Sequence, residues 1–300
     1  MDRLDAMSLF VATVEAGSLS AAARRAGVPL ATVSRKLSEL EKHLGTRLLN
    51  RSTRRLTLTD PGQFYLIACR RILAEVSEAE RTAAGEYSSP TGELVITAPV
   101  VFGRLYVLPV ITDFLALYPQ VDIRLTLSDR ITHLVEEHID LALRIGELPD
   151  SAMVAIRVGS IRRIVCASPA YLGMHGTPEK PPELAGHSCI TFEGLAAPAT
   201  WSFGAGKTET AVAVRSRLQV NTAEAAIDAA IGGLGLTKVL SYQADAAVRA
   251  GALRVVLEPF EPRPWPVSLV HAGQGRLPVK LRAFLDFAGP RLKERLTRSL

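Results

Sequence analysis

The sequence predicts an α+β multidomain chain, in which a small helical unit with a basic hairpin precedes a long helix and a larger α/β part. Three observations predict this order. Apolar residues recur every three or four positions through most of the first forty-five residues, as in helices that bury one face. An apolar stripe with a seven-residue repeat follows from Tyr65, which is typical of a helix that pairs with another helix. From Glu93 onward, short apolar runs alternate with helical stretches, which indicates an open α/β sheet.

The first two predicted helices are short, and each ends at a glycine. The apolar face of the first helix consists of Leu4, Met7, Phe10, Val11 and Val14, and Gly17 ends it. We expect Ser20 to cap a second helix over residues 21–26, because serine side chains accept hydrogen bonds from the free N–H groups of a helix start. Gly27 suits the left-handed conformation that ends such a helix.

The third predicted helix, residues 30–44, has an apolar and a polar face and ends at Gly45. Its inward residues are Val33, Leu37, Leu40 and Leu44. Its outward residues are Thr32, Ser34, Arg35, Lys36 and Ser38. Two helices joined by a glycine-containing turn, the second with hydroxyl and cationic side chains near its start, match the helix-turn-helix that lays a recognition helix in the major groove of DNA.

Residues 48–58 are apolar at both ends and polar in the middle, which predicts a two-stranded wing with a basic tip. Arg54 and Arg55 at this tip suit a minor groove, where the electrostatic potential is most negative. From Ser18 to Leu58 the chain has only two acids, Glu39 and Glu41, against nine cations: Arg24, Arg25, Arg35, Lys36, Lys42, Arg47, Arg51, Arg54 and Arg55. For the hairpin alone, the alternative is a solvated arginine-rich turn.

Several motifs together resemble those of the LysR-type transcriptional regulators. They are Gly17-Ser18-Leu19-Ser20-Ala21-Ala22-Ala23, Val33-Ser34-Arg35, Leu40-Glu41, Leu44-Gly45, Arg47-Leu48-Leu49, Leu58-Thr59 and Gly62. The resemblance continues more loosely through Gly92-Glu93-Leu94, residues 114–119, Asp140-Leu141-Ala142-Leu143-Arg144 and Gly232-Gly233-Leu234-Gly235, and so covers nearly all 300 residues. It implies a sequence-specific regulator that binds an inverted repeat and responds to a small-molecule effector.

The resemblance also implies roles for single residues in DNA binding. Ala31, Thr32, Ser34 and Arg35 would face the major groove, and Arg54 would serve the wing. The full predicted set is Ser20, Ala31, Thr32, Ser34, Arg35, Lys36, Ser38, Arg51, Arg54 and Arg55. Pro29 departs from the family pattern, since many relatives have a capping hydroxyl there. Proline is tolerated at a first helical position, so we expect the helix to persist without that hydroxyl.

Asp60 as the cap, Pro61 at the first position and Gln63 three residues after the cap predict the start of a long helix. Its apolar stripe predicts a dimer contact through Tyr65, Cys69, Ile72, Val76 and Ala79. A palindromic DNA site needs two readers, which favours this interpretation. The alternative is a helix that packs on the core of its own chain. Residues 86–92 break the pattern and are interpreted as a linker.

The rest of the chain alternates predicted strands and helices. Strands are expected at 94–98, 121–127, 141–145, 163–167, 189–192, 235–239, 253–257 and 267–271, and helices at 103–118, 131–138, 222–232 and 279–292. The resemblance implies two subdomains, as in periplasmic binding proteins, which the chain crosses near residues 158–162 and 262–266. The predicted domains are the winged helix-turn-helix 1–59, the linker helix and hinge 60–90, and the effector domain 91–300, with subdomain I at 91–160 and 267–300 and subdomain II at 161–266.

Such an arrangement places a cleft at strand ends and helix starts, where backbone N–H groups favour an anion such as a carboxylate. By resemblance, the effector-binding residues are Pro99, Val100, Val101, Ser128, Asp129, Phe192, Asn221 and Thr222. Pro99 stands where several acid-sensing relatives carry Ser or Thr, so it offers no hydroxyl to a carboxylate. Thr97 substitutes only if its side chain turns inward. For Asn221 and Thr222 the alternative is an ordinary helix cap.

Composition and motif spacing argue against other classes. The net charge of +5 permits a polyanionic partner, and Cys69, Cys166 and Cys189 lack metal-ligand spacing and fit a reducing cytoplasm. The chain shows no signal-peptide layout or long apolar run, so we expect a cytoplasmic protein without membrane contact. Glycines at 204–206 and 232–235 match neither a phosphate-binding loop nor a dinucleotide fingerprint. We expect no enzyme activity, no metal and no cofactor.

Two hypotheses of different class remain. The first is a ligand-responsive regulator, a homodimer or homotetramer whose partners are double-stranded operator DNA, a small-molecule effector and RNA polymerase. The second is an architectural DNA binder that contacts phosphates without sequence choice and has no working ligand site. Base readout retains a large specificity ratio at physiological salt, which phosphate contact alone does not.

Overall fold

The computed structural model describes residues 2–51, 56–83, 89–130, 134, 136–149, 152–192, 200–204, 209–273 and 277–297. Contacts divide the chain into two compact units, Met1–Ser88 and Ser89–Leu300. The long helix that follows the hairpin therefore belongs to the same unit as the helix-turn-helix.

The described part of the first unit contains α1 (Arg3–Ala16), α2 (Leu19–Ala26), α3 (Leu30–Leu44), β1 (Leu49–Arg51), β2 (Leu56–Leu58) and α4 (Asp60–Ala83). Strands β1 and β2 pair antiparallel, with Leu49 opposite Leu58. The winged helix-turn-helix predicted from the sequence is thus present. Gly45 ends α3 with a φ of 66°, a left-handed conformation that costs glycine least.

One apolar core holds the first unit together. Val33, Leu37 and Leu40 of α3 are buried in it as predicted, whereas Leu44 is exposed. The buried residues of α1 are Ala6, Leu9, Phe10 and Thr13. Of the face that the apolar period predicted, Phe10 is buried, Met7, Val11 and Val14 pack against this core, and Leu4 is exposed. Helix α1 is apolar on most sides, so its period alone did not reveal the full width of the buried face.

Two helix caps lie one or two residues from their predicted positions. Ser18, and not Ser20, caps α2, because its Oγ accepts a hydrogen bond from a first-turn N–H group at 3.2 Å. Thr59, and not Asp60, caps α4, since its Oγ1 accepts from Gly62 N–H at 3.0 Å. Each start offers two residues that can cap, and the preceding turn or hairpin decides between them.

The apolar stripe of α4 divides between the core of the first unit and its surface. Cys69 is fully buried in that core, and the Tyr65 ring lies 5.8 Å from the Phe10 ring. The assignment of Cys69 to a contact between copies is therefore wrong, and the alternative of packing on the chain's own core holds for this part of the helix. The later residues of the stripe are partly or largely exposed: Ile72, Val76 and Ala79.

Two mixed sheets of five strands each form the framework of the second unit in its described residues. The first sheet consists of β3 (Gly92–Ala98), β4 (Val121–Leu127), β5 (Leu141–Ile145), β6 (Met153–Ile161) and β14 (Trp265–Ala272), in the order β4-β3-β5-β14-β6. The second consists of β7 (Arg163–Ala167), β8 (Cys189–Phe192), β11 (Ser216–Val220), β12 (Leu236–Leu240) and β13 (Arg254–Val256), in the order β11-β8-β12-β7-β13. A separate hairpin pairs β9 (Thr200–Phe203) with β10 (Thr210–Ala213).

Helices pack on these sheets. They are α5 (Val100–Phe102), α6 (Leu108–Leu117), α7 (Pro169–His175), α8 (Ala223–Ile231), α9 (Ser241–Arg249) and α10 (Val279–Thr297), with 3₁₀ turns at Pro181–Gly186 and Glu258–Phe260. A π-helical turn, Gly103–Val107, joins α5 and α6 into one continuous helix. Pro109 has no N–H to donate, and the preceding Leu108 N–H bonds to Gly103 O, five residues back, which is the π-helical pattern.

The continuous helix Val100–Leu117 is long and apolar enough to cross a membrane by length and composition alone. In this protein its Phe102, Val110 and Phe114 are buried in the apolar core of the first sheet. Core helices of globular domains pass the same test, so its apolar character is explained by packing.

The chain crosses between the two sheets twice. It leaves the first sheet at the end of β6 and enters β7 through Arg162, and it returns to β14 through residues 261–264. Several elements were not predicted: β6, α7, the β9–β10 hairpin, β11 and α9. They are short or, like β6 and β11, lie at a sheet edge, so too few apolar residues reveal their period. The predicted helix 131–138 lies mostly outside the described residues, and its described residues 136–138 form a turn.

The three cysteines are free and buried. Cys166 belongs to the apolar cluster on one face of the second sheet and Cys189 to the cluster on the other face, so the sheet separates their thiols. Burial raises the pKa of each of these thiols to about 12. Both therefore stay protonated and unreactive near neutral pH.

We expect Gly235→Ala to destabilise the second unit by about 2 kcal/mol, because a Cβ at this position would lie 2.2 Å from the backbone oxygen of Ser188, on the adjacent strand segment. Gly289→Ala in α10 is the matched control, since its Cβ would meet nothing within 4 Å. That change should be neutral or stabilising by up to about 1 kcal/mol. Thermal unfolding followed by tryptophan fluorescence measures both effects, because Trp201 and Trp265 lie in this unit. Equal melting temperatures for the two variants would contradict the expectation.

Candidate DNA-binding surface and effector site

The polar face of α3 is accessible in the first unit. Ala31, Arg35 and Ser38 are exposed, and Thr32 and Ser34 are partly exposed. The Arg35 side chain is 67% exposed, and its Nη1 lies 3.4 Å from Glu39 Oε1, one turn farther along the helix. Exposed pairs of this kind contribute about 0.3–0.5 kcal/mol, so a nucleic acid can displace Glu39 at little cost. The surface fits the base-reading role that the sequence predicts for Arg35.

Lys36 differs from its neighbours on α3. Its ammonium group donates a hydrogen bond to the carboxylate of Asp5 on α1, and the side chain is partly buried. This ion pair ties the third helix to the first. A DNA contact by Lys36 would compete with this ion pair, and it stays a prediction. Ser20 lies exposed on α2, where its side chain plays no capping role.

The wing is held against the end of α3 by side chains that the prediction did not include. Glu41 Oε1 accepts hydrogen bonds from the N–H groups of Leu48 at 2.9 Å and Leu49 at 3.1 Å. Thr59 Oγ1 donates to Arg47 O at 2.6 Å. Glu41 was visible in the sequence only as an acid within a basic segment. An acidic residue within this otherwise basic segment is the signal that could have identified it.

Part of the predicted wing lies outside the described residues. Arg51 contributes its backbone to β1, opposite Leu56. The predicted tip residues Arg54 and Arg55 fall within residues 52–55, which the structure does not describe. Their assignment to a minor groove stays a prediction.

In the second unit, the start of the continuous helix at Val100 is occupied by a carboxylate of the chain itself. Asp129 Oδ1 accepts a hydrogen bond from Val100 N–H at 3.1 Å. Helix starts favour negative charge, and Asp129 supplies it. Pro99 stands at the cap without a side-chain hydrogen bond, as expected, and Val101 is buried in the apolar core. Effector contact by Val101 stays a prediction, and an effector anion would compete with Asp129 for the helix start.

The other predicted effector residues divide into buried, capping and exposed groups. Phe192 is 6% exposed and packs in an apolar cluster, and its contact with an effector stays a prediction. Thr222 caps α8, because its Oγ1 accepts from Ala225 N–H at 3.3 Å, which agrees with the alternative left open for it. Ser128 Oγ accepts from the N–H two residues on, and Asn221 is exposed. For Ser128 and Asn221, effector contact stays a prediction.

Thr97 does not replace the missing hydroxyl at Pro99. It is fully buried within β3, on the face opposite to Ile96, and its Oγ1 has no hydrogen-bond partner among the described residues. The hydroxyl is therefore enclosed by the sheet rather than presented at the strand end.

An aromatic cluster joins the two sheets at their strand ends. Phe102, directly after β3, stacks on Tyr106 with ring centroids 4.6 Å apart. Tyr242, directly after β12, meets both rings edge-on at 5.3 Å and 5.9 Å. The carboxyl ends of β3 and β12 therefore face each other. Burial, and then the nearby carboxylate of Asp129, raise the pKa of Tyr242, so its phenol stays neutral. No periodic pattern marked Tyr242, because α9 itself was not predicted.

The two crossings between the sheets are bonded to each other. Arg162 Nε and Nη2 each donate to the Glu261 carboxylate at 2.7 Å, and Nη2 also donates to Glu258 Oε1 at 3.0 Å. The hydrogen bonds to Glu261 raise the pKa of Arg162. The next residue, Arg163, places its guanidinium 4.5 Å from the ring centre of Trp265, where β14 begins. The two crossings therefore lie at the edge of the candidate effector site.

Metal and nucleotide chemistry find no support in the described residues. Groups of three or more His, Cys, Asp or Glu side chains that could hold a metal ion do not occur within them. The glycines between α8 and β12 form a tight turn, in which Gly233 has a φ of 80°.

Two family profiles cover most of the chain. The profile of the bacterial regulatory helix-turn-helix protein, lysR family, matches residues 4–63, and that of the LysR substrate binding domain matches residues 88–293. The chain belongs to the LysR family of transcriptional regulators. Members of this family bind DNA and small-molecule effectors, and the family is one of regulators rather than enzymes.

Similar LysR proteins extend over nearly the whole chain. An HTH-type transcriptional repressor of Pseudomonas aeruginosa (strain UCBPP-PA14) is 36% identical over 289 residues, which cover 96% of this chain and 91% of that protein. The probable HTH-type transcriptional regulator LtrA of Klebsiella pneumoniae is 35% identical over 291 residues, which cover 96% of this chain and 94% of that one.

Solved structures agree with this assignment. CrgA, a LysR-type transcriptional regulator from Neisseria meningitidis, aligns with a TM-score of 0.60 at 31% identity and covers 97% of this chain and 98% of that one. The full-length Vibrio cholerae virulence activator AphB aligns with a TM-score of 0.60 at 28% identity and covers 95% and 98%. Both are full-length regulators, so the similarity includes the DNA-binding and the substrate-binding domains.

We expect Asp129→Ala to destabilise the second unit of this LysR protein by about 1 kcal/mol, because the N–H of Val100 loses its acceptor. For a unit of this size, the melting temperature should fall by about 2–4 °C. Asp129→Asn is the control, since an amide oxygen can still accept this hydrogen bond and asparagine caps about as well as aspartate. Thermal unfolding of the full chain measures both. If the alanine variant melts with the native protein, Asp129 does not cap the helix.

Proposed function

We propose that this LysR regulator binds an inverted-repeat operator as a homodimer or as a pair of dimers. Its contacts with the operator change when a small molecule binds between the two sheets. The exposed face of α3 carries this proposal, because Arg35, Thr32 and Ser34 are accessible together on a helix fixed by its neighbours. Such a helix presents three to four side chains to base edges in the major groove.

Placement of the wing supports the same function. Glu41 fixes the start of β1 against the end of α3, so the hairpin begins at a set distance from the recognition helix. A hairpin fixed in this way can enter the minor groove beside the base pairs that α3 reads. We therefore retain Arg51, Arg54 and Arg55 as proposed DNA contacts.

The exposed part of α4 is the proposed contact between copies. Ile72, Val76 and Ala79 continue the apolar stripe beyond the residues that the first unit buries. A charged residue at Ile72 or Val76 should therefore weaken the dimer. A dimer matches the two-fold symmetry of an inverted repeat, and bound regulators of this kind can contact RNA polymerase. As a reader of chromosomal DNA, the protein should act in the cytoplasm.

The effector is proposed to act at the facing ends of β3 and β12. Tyr242 contacts Phe102 and Tyr106 across these ends, so a ligand there would alter contacts between both sheets at once. Arg162 and Glu261 keep the two crossings together while the angle between the sheets changes. Ser128, Asp129 and Asn221 are the proposed polar neighbours of the ligand.

Sequence-specific retention of genomic DNA is the test of this function. Purified protein is incubated with sheared DNA of its source genome at physiological salt, and the retained fragments are sequenced. A few enriched fragments that share an inverted repeat are the expected result. Uniform retention with steep salt dependence would overturn the proposal in favour of an architectural DNA binder.

We expect Arg35→Ala to relax the base preference at one position in each half-site, at a cost of about 1–3 kcal/mol against the preferred base. Arg25→Ala is the matched control, because Arg25 on α2 is equally exposed, at 67%, and also pairs with a glutamate at 3.4 Å. The control should change affinity for all duplexes alike. Competition binding with single-base operator variants separates the two effects. A uniform loss of affinity for Arg35→Ala would make it a phosphate contact.

A further inference from the structure

Two cationic side chains lie together near the crossings, and no carboxylate in the described part of the chain forms an ion pair with either. Arg163 begins β7, and Lys238 lies on the adjacent antiparallel strand β12, where Leu240 is opposite Arg163 and Lys238 is opposite Val165. Arg163 and Lys238 are therefore diagonal neighbours on one face of the sheet, within reach of each other for long side chains. We call them the cation pair.

Lys238 is enclosed by the β9–β10 hairpin. The residue is 5% exposed, its Nζ donates to Ser202 O at 2.6 Å, and it lies 4.9 Å from the centre of the Phe203 ring. An ammonium group has three donors, and this carbonyl is its one hydrogen-bond acceptor among the described residues. Burial, and then the charge of Arg163, lower the pKa of Lys238 to about 8, and the charge of Glu209 opposes both.

Arg163 is also incompletely satisfied. Its Nη2 donates to Arg263 O at 3.1 Å, but its Nε is buried and has no partner among the described residues. Burial lowers the pKa of Arg163, and the charge of Glu209 opposes this shift. A buried donor without an acceptor carries its full desolvation cost, and uncompensated buried charge costs more. Such a cost is expected where a ligand supplies the missing partner.

We propose that the cation pair binds the carboxylate of the small-molecule effector, with Arg163 Nε and Lys238 Nζ as the donors. This inference rests on the proposed effector response and specifies its ligand. The usual place for an anion, the helix start at Val100, is filled by Asp129. A carboxylate has two oxygens and accepts charge-assisted hydrogen bonds from both kinds of cation. The Trp265 ring lies under the Arg163 guanidinium and holds it in place beside the second sheet.

The location couples this ligand to both sheets. Arg163 belongs to the second sheet, and Trp265 under its guanidinium begins β14 of the first. A carboxylate on Arg163 would draw the second sheet and its hairpin toward the crossing held by Arg162. The bound anion would thereby favour one angle between the sheets, which is what an effector must do.

Tryptophan fluorescence of the full-length protein tests the site directly. The chain has two tryptophans, Trp201 in the hairpin that covers Lys238 and Trp265 beneath Arg163, so both report on it. Benzoate is the anionic probe, and benzamide is its neutral control of equal size. Saturable change with benzoate at millimolar concentration or below, and none with benzamide, is the expected result. Inorganic phosphate is titrated in parallel, because saturation by phosphate in place of benzoate would assign the site to phosphorylated ligands and overturn the carboxylate.

Substitutions at the cation pair test where the anion binds. Arg163→Gln and Lys238→Met should each weaken benzoate binding by about tenfold or more, which is at least about 1.4 kcal/mol. Arg254→Gln, an exposed arginine on β13 of the same sheet, should leave the dissociation constant unchanged. Binding that survives both cation-pair variants, or that appears only in Asp129→Ala, would overturn the proposal and move the anion to the helix start.

Stability of the ligand-free protein supplies a second readout. Lys238→Met retains the length of the side chain and removes its buried charge, so it should raise the melting temperature of the free protein at neutral pH. A lysine kept for structure through its bond to Ser202 O would give the opposite result, a lower melting temperature, and the anion site would be refuted.

The pH dependence follows from the charges that face Lys238. These are Arg163 on β7 and Glu209 beside β10, while β9 contributes the neutral Ser202 and Phe203. Above pH 8 the free lysine loses its proton, so benzoate affinity should fall between pH 8 and 10 in the native protein and much less in Lys238→Met. The titrations need no DNA. Failure of the cation pair would thus leave operator retention intact, and failure of the proposed function would appear as uniform DNA retention.

Discussion

The ion pair between Arg162 and Glu261 fixes the geometry on which the second unit depends. The chain passes between the two sheets at two points only in its described residues, and this pair bonds the two points to each other. The Glu261 side chain is 14% exposed, so water screens the pair weakly and the bidentate geometry is held. The two crossings therefore lie side by side, at the place where the chain passes from one sheet to the other.

Charged side chains near the two crossings are distributed unevenly. The carboxylate of Asp129 neutralises the start of the helix at Val100. The positive charge that remains lies on the other side of the crossing, on Arg163 and Lys238. Pro99 and Asp129 act in the same direction: Pro99 offers no hydroxyl, Asp129 occupies the N–H group of Val100, and both make the helix start less suited to an anion.

In the first unit, ion pairs and hydrogen bonds of charged side chains position the DNA-reading surface. Lys36 pairs with Asp5 and joins α3 to α1, and Glu41 accepts the N–H groups that begin the wing. Arg35, between them on the helix, stays exposed. The unit thus uses some charged residues of the basic segment for assembly and leaves others for the nucleic acid. Composition alone counts these charges together and cannot separate them.

The sequence by itself determined the winged helix-turn-helix, the long helix, the alternating α/β part and the LysR family. Apolar period, glycine stops and a run of local motifs are properties of neighbouring residues, so they can be read along the chain. Strands such as β4, β5 and β7 were placed correctly for this reason. Helix caps shifted by a residue or two, because adjacent Ser, Thr and Asp side chains compete for the same N–H groups.

Only the tertiary structure decided which of these residues face solvent, core or one another. Cys69 follows the spacing of a dimer seam, yet α1 lies against it and buries it in the unit's own core. Phe192 and Val101 end in apolar clusters because helices cover those strand ends. Arg163 and Lys238 are 75 positions apart in the sequence and become neighbours through antiparallel pairing of β7 with β12. Such encounters depend on strand register and on the two crossings, which no local pattern encodes.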